Sequence, residues 1–534
     1  MSIVTSTTAT DERDPDRAAG TSTGQGTTAA PGSASTPPPA GRATADGGRP
    51  APAGGRRRPP ALLDRLFSIT ERGTTVAREV RGGLVTFFTM AYIVILNPLI
   101  LGGFSADSAP VDVAGGFLPA AQVGAVTGLT AGVLTIVFGL VANLPFGLAA
   151  GLGINSFLAV AVIQDVTWPE AMGLVVINGV LIVLFGVTGA RTAIFRAVPR
   201  ELKAAITVGI GLFIAFIGFV DSGFVRRTPA GPPVQLGHDG SITTLPTLVF
   251  VIGLLLMGIL VARKVQGGLL IGIVATTILA VAIEAVFHLG AAGPDNPDGW
   301  HLNTPVLSGQ LLAAPDLSLV GQFSLFGAFE RIGALAAVTL VFTLVFTNFF
   351  DAMGTMTGLA KSAGLAKKDG TFPRLKGAFI IEGFGAVAGG GTSGSSNTVY
   401  VDSAAGIGEG ARTGLASVVT GVLFLGAMFL TPLTSVVPLE VASSALVVVG
   451  TMMAAQIREI DFRKFSVALP AFLTIVTMPL TYSIANGIGV GFVTWALVRA
   501  ASGKAKKIHP LLWVVAAGFV VYFVRGPLSA LIGA

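Results

Sequence analysis

Beyond residue 80 the chain alternates between apolar runs of about 17 to 23 residues and short polar connectors. A run of that length covers roughly 30 Å of hydrocarbon as a helix rising about 1.5 Å per residue. The pattern predicts spans at 83–101, 122–141, 147–163, 171–189, 203–220, 245–262, 267–288, 333–354, 377–392, 396–410, 412–431, 439–456, 465–482 and 484–501. This is an all-α integral membrane fold of fourteen crossings. A further apolar stretch, 510–532, is interrupted by Arg525 and Pro527 and is expected to be an extra helix or an interfacial one. Residues 1–60, rich in Pro, Gly, Ser, Thr and Ala, are too polar to offset the entropy of ordering and are expected to be a disordered tail. No apolar stretch follows the first methionine, so the first span is expected to direct insertion itself.

The connectors test the count, because Lys and Arg concentrate in cytoplasmic loops. With the N-terminus cytoplasmic, the inner loops hold Arg191, Arg196, Arg200, Lys203, Arg263, Lys264, Lys361, Lys367, Lys368, Arg374, Lys376, Arg412, Arg458, Arg463, Lys464, Arg499, Lys504, Lys506 and Lys507. The outer loops hold Arg226, Arg227 and Arg331. A wrong number of crossings would mix the two sets. The segment Val198-Pro199-Arg200-Glu201-Leu202, before the fifth span, recurs as Val437-Pro438-Leu439-Glu440-Val441 before the twelfth. Seven crossings separate the copies, so they enter the membrane in opposite directions. The expected architecture is a seven-plus-seven inverted repeat, a common transporter plan.

Two crossings read poorly as continuous helices. The third contains Gly147-Leu148-Ala149-Ala150-Gly151-Leu152-Gly153-Ile154-Asn155-Ser156, and the tenth is preceded by Gly389-Gly390-Gly391-Thr392-Ser393-Gly394-Ser395-Ser396-Asn397. They occupy equivalent places in the two halves. Open backbone at membrane depth is tolerated only where it lines a cavity or is buried in protein, so matched breaks point to a binding site. The β-branched run Thr398-Val399-Tyr400-Val401 suits a short extended stretch. Asn155 and Ser403 then suit N-cap positions of half-helices whose free N–H groups face a polar ligand.

Composition narrows the chemistry. Hydrophobic residues make up 52% of the 534 and charged residues only 12%, too few to cover a water-soluble surface of this size. The net charge of +6 is scattered over short loops without a basic patch or helix, which excludes nucleic acid as a partner. With no Cys, thiolate metal sites and cysteine nucleophiles are excluded, and the four His fall in loops or at span ends. No phosphate-binding loop, nucleophile elbow or metal-ligand cluster points to an enzyme, no cofactor is expected, and no filter motif points to a channel.

Against this apolar background the intramembrane acids stand out. Asp351 lies deep in the eighth span with no base within a turn or two. A charged carboxylate there is costly, which makes Asp351 a candidate proton carrier. Asp402 stands where the tenth-span half-helix begins and is a candidate acceptor for ligand N–H groups. Glu382, in the ninth span, is a candidate partner of Asp351 in the proton path. Glu409 and Arg412 are expected to form a local ion pair, and Glu284 to reach toward the outer interface. Phe87, Phe88, Phe157, Phe349, Phe350 and Tyr400 are near the breaks and acids, and Phe350 and Tyr400 enter the candidate site as stacking surfaces.

Several stretches resemble one family. They are Glu71-Arg72-Gly73-Thr74-Thr75, Glu79-Val80-Arg81-Gly82-Gly83-Leu84-Val85-Thr86-Phe87, Ala91-Tyr92-Ile93-Val94 to Asn97-Pro98, Phe350-Asp351-Ala352-Met353-Gly354-Thr355, Val401-Asp402-Ser403-Ala404-Ala405-Gly406 and Gly410-Ala411-Arg412-Thr413-Gly414-Leu415. Over about residues 65–505 the chain resembles the AzgA-like hypoxanthine, adenine and guanine permeases of the nucleobase-ascorbate transporter (NCS2) superfamily. The resemblance implies a core domain of spans 1–4 and 8–11 (83–189 and 333–431) and a gate domain of spans 5–7 and 12–14 (203–288 and 439–501). It also implies purine import with a proton, a plasma-membrane location and homodimerisation. Asp351 and Asp402 would contact the base, with Asn155 contributing from the third span; Ser403, at its half-helix start, is the remaining candidate binding residue. Relatives carry Glu-Ser-Ala where this chain has Asp402-Ser403-Ala404, a carboxylate drawn back by about 1.5 Å, enough to matter for direct hydrogen bonding. The rival solutes for this architecture are uracil, xanthine or an anion. Asp351 argues against the anion.

Overall fold

The computed structural model describes residues 59–105, 109–189, 197–228, 233–238, 240–293, 295–307, 310, 312–367 and 371–524. The expected tail, Arg191, Arg196, Lys368, Arg525 and Pro527 lie outside the described residues, the tail except for its last two positions.

Among the described residues, ten helices are long and apolar enough to cross a membrane. They coincide with ten of the expected spans. The first is a pair, α1 (Val76–Met90) and α2 (Ile93–Leu101), followed by α3 (Ala120–Ala142). The third span is broken into strand β1 (Leu148–Ala150), the two-turn helix α4 (Leu152–Phe157) and a π turn at Leu158–Val162. Next come α5 (Trp168–Thr188), α6 (Arg200–Asp221), α7 (Leu245–Ala262), α8 (Gly268–Phe287) and the 29-residue α9 (Ala334–Ser362). The shorter α10 (Leu375–Gly391) precedes a second break, strand β2 (Asn397–Val399) with half-helix α11 (Ser403–Gly408). The chain ends in α12 (Gly414–Ala427, extended by a 3-10 turn at Met428–Val436), α13 (Leu439–Ala454), α14 (Phe465–Leu480), α15 (Ile484–Arg499) and α16 (Pro510–Phe523). The extra apolar stretch is therefore helical over 510–523. The fold is helical apart from three two-stranded pairs among the described residues, two of them in loops.

The third pair joins the two breaks. β1 and β2 run antiparallel with Leu148 opposite Val399, Ala149 opposite Thr398 and Ala150 opposite Asn397. The ladder continues on both sides, with Gly151 N–H donating to the Ser396 carbonyl (2.9 Å) and Tyr400 N–H to the Gly147 carbonyl (3.0 Å). A two-strand ladder leaves outer edges, buried here, and side-chain hydroxyls satisfy them. Thr135 Oγ1 accepts from Leu148 N–H (2.9 Å) and donates to the Leu148 carbonyl (3.0 Å). Ser417 Oγ donates to the carbonyls of Leu144 (2.7 Å) and Phe146 (2.9 Å).

Ser403 belongs to this scaffold. Its hydroxyl accepts from Gly147 N–H (3.0 Å) and donates to the Tyr400 carbonyl (2.7 Å), locking one break to the other. The N-cap positions are Gly151 and Asp402, one or more residues before those expected, so Asn155 lies inside α4 and Ser403 is the first residue of α11.

Half-helix α11 seats on α1 through two glycines. A Cβ on Gly406 would lie 2.1 Å from Thr86 Oγ1 and 2.3 Å from the Gly82 carbonyl oxygen. Below this contact the two Arg-containing motifs meet. Glu79 accepts from the amides of Arg412 (2.8 Å) and Thr413 (3.2 Å), and Arg72 donates to the Arg412 carbonyl (2.8 Å). Arg412 itself donates to the Ile407 carbonyl (2.7 Å), while Glu409 pairs with Arg81 (2.5 Å). The expected Glu409–Arg412 pair is thus replaced by links between elements. Glu284 accepts from Leu289 N–H (3.0 Å) and Trp300 Nε1 (2.8 Å), which ties it to the loop that follows its helix.

Two substitutions check this packing. Gly406→Val forces the half-helix off α1, an overpacking that costs about 1–3 kcal/mol and should lower the melting temperature in detergent. Ser403→Ala strands the buried Gly147 amide at a similar cost, about 1–3 kcal/mol, and should do the same. A thermal scan by fluorescence-detected size exclusion measures both, and an unchanged profile for either would contradict the contact assigned to it.

Candidate functional site

The ladder cannot fill the membrane on its own, and beside it lies a cavity of about 350 Å³. One wall comes from the breaks: Gly151, Leu152, Gly153 and Ile154 from the start of α4, then Thr398, Tyr400, Asp402 and Ala404 around β2. Thr347, Asp351, Thr355 and Gly358 of α9 form the second wall. The third wall is mostly apolar and comes from α6 (Thr207, Ile210, Ile214) and α13 (Val449, Met452, Met453), with Gln456 beyond it. Tyr92, in the gap between α1 and α2, closes the remaining side.

Asp351 and Asp402, expected at the site from sequence, both face this space and are half-buried. Asp402 Oδ2 accepts from the Tyr92 hydroxyl (3.3 Å), and the Asp402 carbonyl accepts from Thr89 Oγ1 (3.3 Å). No Lys, Arg or His lines the cavity among the described residues, so its two acids have no counter-cation there. The hydroxyls of Thr347 and Thr398 are buried on its walls with no hydrogen-bond partner among the described residues. Buried polar groups of this kind are usually satisfied by water or ligand. At the start of α4, geometry leaves the first-turn amides without intrahelical acceptors, and these residues line the cavity. At α11 the amides of Ser403, Ala404 and Ala405 are taken by the carbonyls of Tyr400, Val401 and Asp402. Only the first half-helix therefore presents its amides as expected.

Tyr400 contributes a ring to the wall, while its hydroxyl donates to the Ala150 carbonyl across the ladder. The Tyr92 and Tyr400 rings are 6.5 Å apart and tilted by 53°. Phe350 is on α9, but its side chain lies outside what the structure describes.

Three residues expected at the site lie behind it. Ser403 holds the ladder, as above. Asn155 is fully buried and donates to Asn97 Oδ1, and Asn97 in turn donates to Thr127 Oγ1 (2.7 Å) and the Gly394 carbonyl (3.2 Å). Glu382 is fully buried on α10 and does not line the cavity. With Asn348, which donates to Ser396 Oγ (3.0 Å), these groups form a polar layer behind the breaks. Sequence reading missed Tyr92 and Thr347. The signal for Thr347 was present, because Thr347, Asp351 and Thr355 recur at intervals of four and share one helix face. The Ile and Met side chains of the third wall carry no such mark.

A family model described as "Permease family" matches residues 77–490. The chain is 33% identical to the adenine permease AdeP of Escherichia coli (strain K12), over 87% of this chain and 96% of that protein. It is 35% identical to the guanine/hypoxanthine permease PbuG of Bacillus subtilis (strain 168), over 86% of this chain and 99% of that protein. Among solved structures, the transmembrane domain of the cyanobacterial bicarbonate transporter BicA shares the fold, with a TM-score of 0.54 at 16% identity, covering 77% of this chain and 96% of that one. The chain is a multi-pass membrane protein that belongs to this permease family, within the nucleobase-ascorbate transporter (NCS2) superfamily.

Proposed function

We propose that the protein is a secondary active transporter that imports purine nucleobases with protons across the plasma membrane by alternating access. The observation that carries this is the cavity at the paired breaks, where two carboxylates and unpartnered hydroxyls face an apolar wall. A purine is flat, nearly neutral and edged with N–H donors and ring-nitrogen acceptors. Asp402 and Asp351 accept from its N–H groups, the threonine hydroxyls and α4 amides serve its acceptors, and Tyr400, Ile210 and Met453 cover its faces. The named relatives, adenine and guanine/hypoxanthine permeases, support the same substrate class. An anion, as the fold likeness to a bicarbonate transporter would allow, meets two acids and no cation here.

In this reading the chain makes fourteen crossings in two inverted halves, with the N-terminus cytoplasmic. Several features support it. Both halves carry a strand followed by a half-helix at the equivalent crossing. The recurrent Val-Pro segments place Pro199 and Pro438 at the N-caps of α6 and α13, which pack against each other. α5 packs on α10 and α12 on α3, two contacts that a seven-crossing shift would interchange. A core of 83–189 and 333–431 then carries both acids, and a gate of 203–288 and 439–501 supplies the apolar wall. Asp351 takes a proton from outside, purine binds against Asp402, and the core moves against the gate to release both inward. Glu382, buried behind, adjusts the proton path. Homodimerisation follows the family resemblance.

Uptake of labelled adenine, guanine and hypoxanthine in cells lacking their own purine permeases tests the proposal, with uracil, xanthine, sulfate and bicarbonate as competitors. Purines should compete and the anions should not. Asp402→Asn should raise the apparent Kd for purine by about 10- to 100-fold, the loss expected for a hydrogen bond to a charged group. Asp351→Asn should abolish pH-driven accumulation while leaving exchange of purine for purine. Undiminished proton-driven accumulation in Asp351→Asn would falsify its assignment as proton carrier.

A further inference from the structure

The polar face of α9 is longer than the central cavity needs. Thr339, Thr343, Thr347, Asp351 and Thr355 follow one another at four-residue intervals, which places them in one stripe along the helix. Thr347, Asp351 and Thr355 line the cavity already described. Thr339 and Thr343 line a second cavity, of about 270 Å³. Its other polar walls are Asp165 and Ser483, and its aromatic walls are Phe157 and Tyr522.

The two cavities share their framework. α4 borders the first with Leu152, Gly153 and Ile154 and the second with Phe157. Thr347, whose buried hydroxyl has no partner among the described residues, stands one turn from Thr343 on the same stripe. In the second cavity the Thr339 and Thr343 hydroxyls donate to the carbonyls of Leu335 (2.8 Å) and Thr339 (3.0 Å), which leaves their oxygens able to accept. As in the first cavity, no Lys, Arg or His lines it among the described residues. By the loop-charge orientation it lies toward the outer side, since Asp165 and Ser483 follow the third and thirteenth crossings.

We propose that this second cavity is an outer subsite for the same flat, N–H-bearing heterocycle, from which it passes along the α9 stripe to Asp351. The proposal rests on the purine-carrier reading. A carboxylate, threonine hydroxyls and an aromatic surface recur there at the other end of one polar track, so the ligand that suits Asp351 and Tyr400 also suits Asp165 and Tyr522. An aromatic cluster stands beside the track. Phe342 and Phe346 of α9, 4.4 Å apart, meet Phe492 of α15 (5.9 Å from Phe346) and Phe519 of α16 (5.2 Å from Phe342). α16 supplies Tyr522 to this cavity.

The absence of cysteine makes the test direct. Thr339→Cys in whole cells should react with a membrane-impermeant maleimide, and hypoxanthine or adenine should slow that reaction several-fold. Ser362→Cys, at the opposite end of α9, should stay unlabelled from outside. Asp165→Asn and Tyr522→Leu should each raise the KM for uptake several-fold while leaving the KM for efflux, measured in inside-out vesicles, within twofold of wild type. Purine-insensitive labelling of a Thr339→Cys protein that still transports purine overturns the outer subsite alone. So does an equal change of KM on both faces. Loss of purine transport in the wild type itself would overturn the underlying carrier reading instead.

Discussion

A buried segment offers no water to an open backbone, and this protein opens its backbone twice among its membrane-crossing helices, at two fully buried strands. Each unsatisfied N–H or C=O in hydrocarbon costs several kcal/mol, so neither break is tolerable alone. Each solves the problem of the other. β1 and β2 pair across an antiparallel ladder, and Thr135, Ser417 and Ser403 take up the remaining groups on and beside it. The half-helices α4 and α11 follow from that ladder, because each must begin where its strand ends. So does the cavity, since a short half-helix leaves volume beside the ladder unfilled. The polar layer of Asn97, Asn155, Asn348 and Ser396 behind the breaks is the further cost of holding the ladder in place, and it explains polar residues that bind nothing in the cavity.

The division between holding and facing was only half legible in the sequence. Apolar run length fixes where a helix crosses, because about 20 residues are needed whatever their identity. Glycine and hydroxyl clusters reveal where it cannot continue. Which side of a broken segment faces the cavity is another matter. A soluble helix declares its inner face by contrast with a polar outer one, and in lipid both faces are apolar, so the contrast vanishes. Asn155 and Ser403 were therefore placed at the site for their chemistry, whereas they sit one layer behind it. Ile210, Ile214 and Met453 line the cavity but have the composition of lipid-facing side chains. Glu409 was given its nearest base in sequence, Arg412, although Arg81 from α1 reaches it through space.

The same reasoning accounts for Tyr92. Its hydroxyl steadies Asp402 from the gap between α1 and α2, and Thr89 secures the backbone of the same residue. One turn of chain thus holds Asp402 twice, Tyr92 at its carboxylate and Thr89 at its backbone carbonyl. That support matters more for an aspartate than for a glutamate, since the position of the shorter carboxylate is set more closely by its backbone. The position of Asp402 is set by the ladder at one end and Tyr92 at the other, which leaves one carboxylate oxygen engaged by Tyr92 on the cavity wall.

The distribution of polar groups around the cavity bears on how such a site moves. Asp351, Asp402, Tyr92, Thr347 and Thr398 all belong to the breaks, α9 and the α1–α2 junction, which are tied together by hydrogen bonds. The facing wall of α6 and α13 offers Ile210, Ile214, Val449 and Met453, side chains that make contact without direction. Displacing one wall against the other at this level exchanges apolar contacts for apolar contacts and breaks no hydrogen bond to a carboxylate. Methionine, unbranched and adaptable, tolerates the changing shape. The polar groups of the cavity are tied to one another by hydrogen bonds, whereas the facing wall is mostly apolar. A site whose acids were divided between the two walls would have to break its own polar contacts to open.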